Sequence, residues 1–330
     1  MSEKPTIRSL ASELNLSTAT VSQALRGMGR MADVTRARVL GHARERGYVP
    51  DPLVCAGLSR ARRGEAFHEN LACWWDADPL KQAWSESFRV SRDERARDLG
   101  YKVEDRVVDF DDPRKLAAEF RVLRARGVRG IILAPLKHPR ADVKLEYADF
   151  AWIGIGSSLP EPGIHRVVRD LQRDIPRCVR ALVAQGCRRI GFAENARRAA
   201  LSRDALLGYA LGWHFRRGWP LKDPYFEPGK GGAPAFREWL TCSKLDGLVL
   251  GQSVGDAFRA CVPEGLPVSN VTLPGIPHRD PGCIPHYGRV GIASIDLLRN
   301  MLAHNEVGLP HHGESIAIES LWFEAGTAEG

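Results

Sequence analysis

The sequence predicts a small all-α head followed by a larger α/β body whose parallel, doubly wound sheets divide into two lobes. Three observations carry this reading. Apolar residues recur at helical spacing in three short stretches before residue 49. From Asn70 onward, strand-sized apolar runs alternate with amphipathic helical stretches. The 330 residues also exceed one core, at ~100–200 residues per domain.

The head is expected to hold three helices. Thr6 is placed to cap the first, whose inner positions are Ile7, Leu10, Ala11 and Leu14. Asn15 tolerates the left-handed backbone of a tight turn. Ser17 caps a second helix from Thr18 to about Leu25, with Val21 and Leu25 facing inward. Gly27 and Gly29 break the chain, and a third helix runs from about Val34 to Arg46, capped by Asp33 and ended by Gly47. Pro50-Asp51-Pro52 closes this unit, and a short helix is expected from Asp51 to about Arg60.

In the body, strands are expected at 71–75, 101–108, 130–134, 151–156, 189–193, 246–251 and 266–272. Helices are expected at 82–99, 114–126, 174–185, 199–217, 234–242 and 290–304. Gly127–Leu133 and Lys244–Leu250 repeat one pattern, a helix end turning at Gly into a buried strand. Two such lobes leave a cleft outside the carboxyl ends of their strands, the usual ligand position in open sheets.

Composition narrows the function. No apolar run approaches the ~18 residues of a membrane span, and the first residues lack the apolar core of a secretion signal, so a cytoplasmic protein is expected. Seven Cys without a Cys-x-x-Cys pair argue against a disulfide framework or zinc ribbon. Residues 1–64 hold eleven basic and five acidic groups, so +6 of the net +7 lies there. A basic head on a nearly neutral body points to a polyanionic partner.

The spacing of Ala11, Asn15 and Val21 is that of a helix-turn-helix. A small residue sits where the helices cross, a residue that accepts positive φ makes the turn, and an apolar residue locks the second helix. Ser17, Thr18, Ala19, Ser22 and Gln23 then stand outward at the start of that helix, short or amide side chains suited to a major-groove wall.

Ile7–Leu16 followed by Ser17-Thr18-Ala19-Thr20-Val21-Ser22-Gln23-Ala24-Leu25 resembles the headpiece of the LacI/GalR family. Thr35–Leu40 and Gly47-Tyr48-Val49-Pro50 extend the match, and Arg166–Asp170 with Leu182–Phe192 is similar to that family's central stretch. The resemblance implies a headpiece at 1–49, a hinge at 50–64, and a two-lobed, periplasmic-binding-protein-like effector and dimerisation domain at 65–330. It implies a transcriptional regulator, a repressor, acting as a homodimer on a partly palindromic double-stranded DNA operator, with a small-molecule effector, a sugar or sugar derivative, between the lobes. Thr6, Arg8, Ser17, Thr18, Ala19, Thr20, Ser22, Gln23 and Arg26 are the candidate DNA contacts, with Thr18, Ala19 and Gln23 at base-reading positions. In the hinge, Gly57 stands where the family carries its minor-groove leucine, which leaves Leu58 and Arg60 as candidates.

For the cleft, the resemblance assigns Asp170 and Arg203, and Gln252 stands in the segment that replaces a polar pair of the family. Trp74, Trp75 and Trp84 lie at or just beyond the first body strand, where aromatic faces stack on a ring. No cofactor, metal or catalytic group is expected. Gly154-Ile155-Gly156 lacks the third glycine of a dinucleotide fingerprint, and Gly229–Gly232 lacks the remainder of a P-loop. The competing reading is an α/β binding protein or enzyme with an incidental helical head.

Overall fold

The computed structural model describes residues 7–25, 31–46, 48, 69–139, 143, 145–159, 163–218, 224–227, 231–251, 254, 256–272 and 280–324. The chain divides into two compact units, Met1–Phe67 and His68–Gly330.

The first unit is built on α1 (Ile7–Leu14), α2 (Thr18–Leu25) and α3 (Asp33–Glu45). Leu10, Ala11, Val21, Ala24, Val39 and Ala43 are buried together, one or two from each turn that faces inward. Asn15 adopts a φ of 56° between α1 and α2, and the Leu16 amide donates back to the Ala11 carbonyl at 2.9 Å. Ser17 Oγ accepts from the Thr20 amide at 3.0 Å, capping α2. The first helix is tied to the third: Arg38 donates to the Leu14 carbonyl at 2.8 Å, and Glu13 accepts from Arg46 at 2.7 Å and pairs with His42 at 2.6 Å. Ala32, not Asp33, occupies the cap position of α3 and gives it no side-chain bond; Asp33 sits in the first turn, where its charge meets the helix dipole. The expected helix at 51–60 lies outside the described residues.

The second unit contains two six-stranded sheets. The first comprises β1 (Glu69–Trp75), β2 (Tyr101–Val107), β3 (Gly130–Leu133), β4 (Ala151–Ile155), β5 (His165–Arg169) and β11 (Ser315–Ile318), in the order β11-β5-β4-β3-β1-β2, all parallel. The second comprises β6 (Ile190–Ala193), β7 (Tyr225–Phe226), β8 (Gly247–Leu250), β9 (Val268–Asn270), β10 (Gly282–Ile284) and β12 (Leu321–Phe323), in the order β12-β10-β9-β8-β6-β7, parallel except for β10–β12. The strands β5, β7, β10, β11 and β12 were not expected from apolar runs.

Helices cover both faces of each sheet. On the first, α4 (Ser85–Asp98) and α11 (Tyr287–Ala303) bury Phe88, Ile295 and Leu298 against one side, while α5 (Pro113–Ala125) buries Phe120 and Leu123 against the other. On the second, α6 (Leu171–Ala184) and α8 (Ala205–Phe215) pack on one side and α9 (Gly232–Cys242) and α10 (Asp256–Arg259) on the other. The helix expected at 199–217 is two: α7 (Ala196–Leu201) ends where Arg203 and Asp204 take φ values of 55° and 54°, and α8 begins after them. Asn195 starts α7 early by accepting from the Arg197 amide at 3.0 Å.

The chain passes between the lobes three times: from β5 into α6, from β10 into α11, and from β11 into β12. At the first passage Arg169 donates to Asp174 at 2.9 Å, to Thr272 Oγ1 at 2.6 Å and to the Val271 carbonyl at 2.9 Å. Ser320 Oγ, from the third passage, donates to Asp174 at 2.6 Å.

Candidate nucleic-acid interface and ligand cleft

In the head, the locked crossing of α1 and α2 leaves Ser17, Thr18 and Gln23 exposed and Thr20 half-buried. The Ser17 hydroxyl also lies 2.8 Å from Thr20 Oγ1, so both hydroxyls serve the helix start while Thr18 and Gln23 stand free of the core. Arg8, Ala19 and Ser22 lie on α1 and α2, but their side chains fall outside the described residues. Thr6, Arg26, Leu58 and Arg60, and with them the hinge, also lie outside. Hydrogen bonds from His42 and Arg46 hold the Glu13 carboxyl below its usual range.

In the body, a cavity of about 1010 Å³ opens between the lobes at the carboxyl ends of the strands. Asp76 follows β1, Lys137 follows β3, Gly156 to Ser158 follow β4, Glu194 follows β6, and Val271 and Thr272 follow β9. Arg169, Asp170, Tyr287 and Ala317 line it from the passages between lobes. Arg197 Nε, on α7 of the second lobe, donates to the Lys137 carbonyl of the first at 2.6 Å.

The expected cleft residues divide. Trp84 lines the cavity, with its indole 5.3 Å from the Tyr287 ring and its Nε1 donating to Gln82 at 3.0 Å. Trp74 and Trp75 do not. They alternate on β1 and point into the cores on opposite faces of the sheet, Trp74 at 0% exposure against Phe120 and Trp152, and Trp75 at 1% against Phe88, with Nε1 donating to Asp105 at 2.8 Å. Asp170 lines the cavity but caps α6, accepting from the Arg173 amide at 3.1 Å. Arg203 is exposed in the left-handed turn and does not line the cavity; Ala205, two residues on, does. Gln252 lies outside the described residues.

Among the lining residues that sequence reasoning missed are Arg198, Glu194 and Tyr287. The Arg197-Arg198 pair was the one visible signal, but its placement depends on Asn195 starting α7 directly after β6. Arg198 is half-buried, and burial lowers its pKa, as do Arg197 and Arg169; Tyr287 and Glu194 act in the opposite direction. Among the described residues no group of three or more His, Cys, Asp or Glu could hold a metal ion, and no helix is long and apolar enough to cross a membrane.

The chain thus joins a helix-turn-helix head to a two-lobed α/β body with an interlobe cleft. The fold is that of the LacI-family transcriptional repressors. The chain resembles the CelR–cellobiose complex, a transcriptional regulator (15% identity, TM-score 0.55, 97% of this chain and 98% of that one). It resembles equally the lac repressor dimer bound to operator and the anti-inducer ONPF (16%, TM-score 0.55, 97% and 98%). The transcription regulator CcpA of Lactococcus lactis matches at 13% identity and TM-score 0.58, over 78% of this chain and 97% of that one. By sequence, the chain is 31% identical over 131 residues to the HTH-type transcriptional regulator DegA of Bacillus subtilis (strain 168), a match that covers 40% of this chain and 36% of that relative's length. No family model matches.

Proposed function

We propose that this chain is a sequence-specific DNA-binding transcriptional regulator, a repressor, that acts as a homodimer on a partly palindromic operator and is modulated by a small molecule bound between its lobes. The observation that carries the reading is the α1–α2 crossing, with Asn15 at positive φ, Ala11 and Val21 buried beneath it, and Thr18 and Gln23 exposed on α2. That geometry presents short polar side chains to base edges while basic groups meet phosphates. The charge of +6 in residues 1–64 supports it, as does the fold shared with repressors. In this reading residues 1–49 bind DNA, 50–64 form the hinge, and 65–330 bind the effector and the second copy. Ligand entry shifts the angle between lobes, and such coupling is typically ~1–3 kcal/mol.

The test is selection of duplexes from random sequence by the full chain, followed by binding titrations against salt. The reading expects two-fold related half-sites and an affinity that falls steeply with salt, since each phosphate contact contributes about −0.9 to the log–log slope. A flat slope, or no enriched sequence, overturns it.

A further inference from the structure

The cations of the cleft differ in what they are bonded to. The two terminal nitrogens of Arg169 bond Asp174, Thr272 and the Val271 carbonyl, holding the passage between lobes, and only its buried Nε has no partner among the described residues. Arg197 reaches across to the Lys137 carbonyl, and Lys81 and Lys137 are exposed to water. Arg198 is different. It lines the cavity half-buried, and its side chain makes no hydrogen bond or ion pair with the described residues. A guanidinium presents five donors in a planar fork, and withdrawing it from water without an acceptor is costly.

The carboxylates of the cleft do not supply that acceptor. Asp76 accepts from the Lys137 amide, Asp78 from the Leu80 amide at 3.0 Å, and Asp170 from the Arg173 amide at 3.1 Å. Glu194 is buried with its side chain packed against Gly251, near enough to act on the charge of Arg198 but not in ion-pair contact with it. The other wall is aromatic: Trp84 and Tyr287 face the cavity with ring centres 5.3 Å apart. Trp84 comes from the first lobe and Arg198 from the second.

We propose that the ligand of this cleft is an anionic ring compound, its carboxylate or phosphate oxygens on Arg198 and its ring against Trp84 and Tyr287. The proposal rests on the reading of the cleft as an effector site and deepens it. Arginine suits either anion, because its fork matches both in a bidentate pair. A neutral polyol leaves the guanidinium charge uncompensated. A ligand that holds both groups ties one lobe to the other, which is the coupling a regulator needs.

Calorimetry on the full chain with two matched trios tests this: D-glucose, D-glucuronate and glucose 6-phosphate, and benzyl alcohol, benzoate and phenyl phosphate. In at least one trio an anionic member is expected to bind tenfold or more tighter than the neutral one, and the tighter anion distinguishes carboxylate from phosphate. Arg198→Met is expected to weaken that binding at least tenfold, Arg198→Lys to retain part of it, and Arg203→Ala to leave it unchanged. Without ligand, Arg198→Met is expected to melt no lower than the parent, since it removes a half-buried charge that has no partner among the described residues. The proposal is overturned if neutral members bind as tightly, if Arg198→Met and Arg198→Lys bind the anion like the parent, or if neither trio yields anion binding. DNA binding is scored separately: loss of anion selectivity with sequence-specific DNA binding intact sinks the ligand class alone, and anion binding without DNA binding sinks the regulator reading alone.

Discussion

Arg169 and Asp174 form a buried ion pair, 2.9 Å apart, where the chain first passes between the lobes; Asp174 is 3% exposed. Ser320 on the third passage donates to the same carboxylate at 2.6 Å, so one acidic group fastens two of the three passages. Breaking a buried pair by removing one partner leaves the other charge uncompensated, at a cost of about 3–5 kcal/mol. Asp174→Ala is therefore expected to lower unfolding stability by that order, measured by urea denaturation. A midpoint unchanged from the parent would remove this pair from the account of how the lobes are joined.

The head carries an acid-sensitive link. His42 and then Arg46, bonded to Glu13, hold its carboxyl below the ordinary 4.5. A carboxyl with a depressed pKa in the folded state adds stability that is fully present above its unfolded value and is lost as pH falls through its folded value. Hydrogen exchange at the amides of α1 and α3 should therefore accelerate as pH drops below about 4.5, beyond the intrinsic pH effect. In Glu13→Gln that extra acceleration should vanish.

Two glycines in helices should respond with opposite sign. At Gly291 on α11, a Cβ would lie 2.4 Å from the Phe88 carbonyl oxygen and 3.1 Å from the Arg92 amide of α4, both backbone atoms of a packed neighbour. Gly291→Ala is expected to cost about 1–3 kcal/mol as the two helices are forced apart. At Gly208 on α8 a Cβ meets nothing within 4 Å, so Gly208→Ala should gain about 0.5–1 kcal/mol from helix propensity. Thermal melts of the two variants that moved in the same direction would refute the packing argument.

Under the proposed function, two positions of the head are expected to play separable roles. Gln23 is exposed on α2, and its amide suits a base edge. Gln23→Ala should change which sequences are preferred more than it changes total affinity. Arg8→Ala, at a phosphate-facing position in the sequence reading, should weaken all sequences alike and flatten the salt slope by about one. Binding of both variants to a panel of duplexes at two salt concentrations reads this out, and parallel losses on every duplex for both would contradict it.

What could be read from the sequence was local. Ala11, Asn15 and Val21 lie within eleven residues, and the turn they make depends on size and φ alone, so the head was legible. Long apolar strands such as Glu69–Trp75 were legible for the same reason. The three-residue strands β10 and β12 were not, because Gly282 and Cys283 are strand residues only through partners at Asn270, Phe323 and Trp322. Trp74 and Trp75 were misplaced because a strand sends neighbours to opposite faces, and here both faces are covered by helices. Arg203 was misplaced because two consecutive residues at positive φ end α7 and turn the next helix onto a new axis.

The amino-acid order alone determined a basic three-helix head and an alternating α/β body with a cleft, since helical period, strand period and turn chemistry are properties of neighbouring residues. Only the tertiary structure decided which arginine side chain of the cleft has no acceptor among the described residues. The terminal nitrogens of Arg169 are bonded to Asp174, Val271 and Thr272 and Arg197 to the Lys137 carbonyl, partners up to about a hundred residues away, while the Arg198 side chain lines the cavity with no hydrogen bond to the described residues. Charge pairing is set by distance in space, and the folded chain alone supplies that distance.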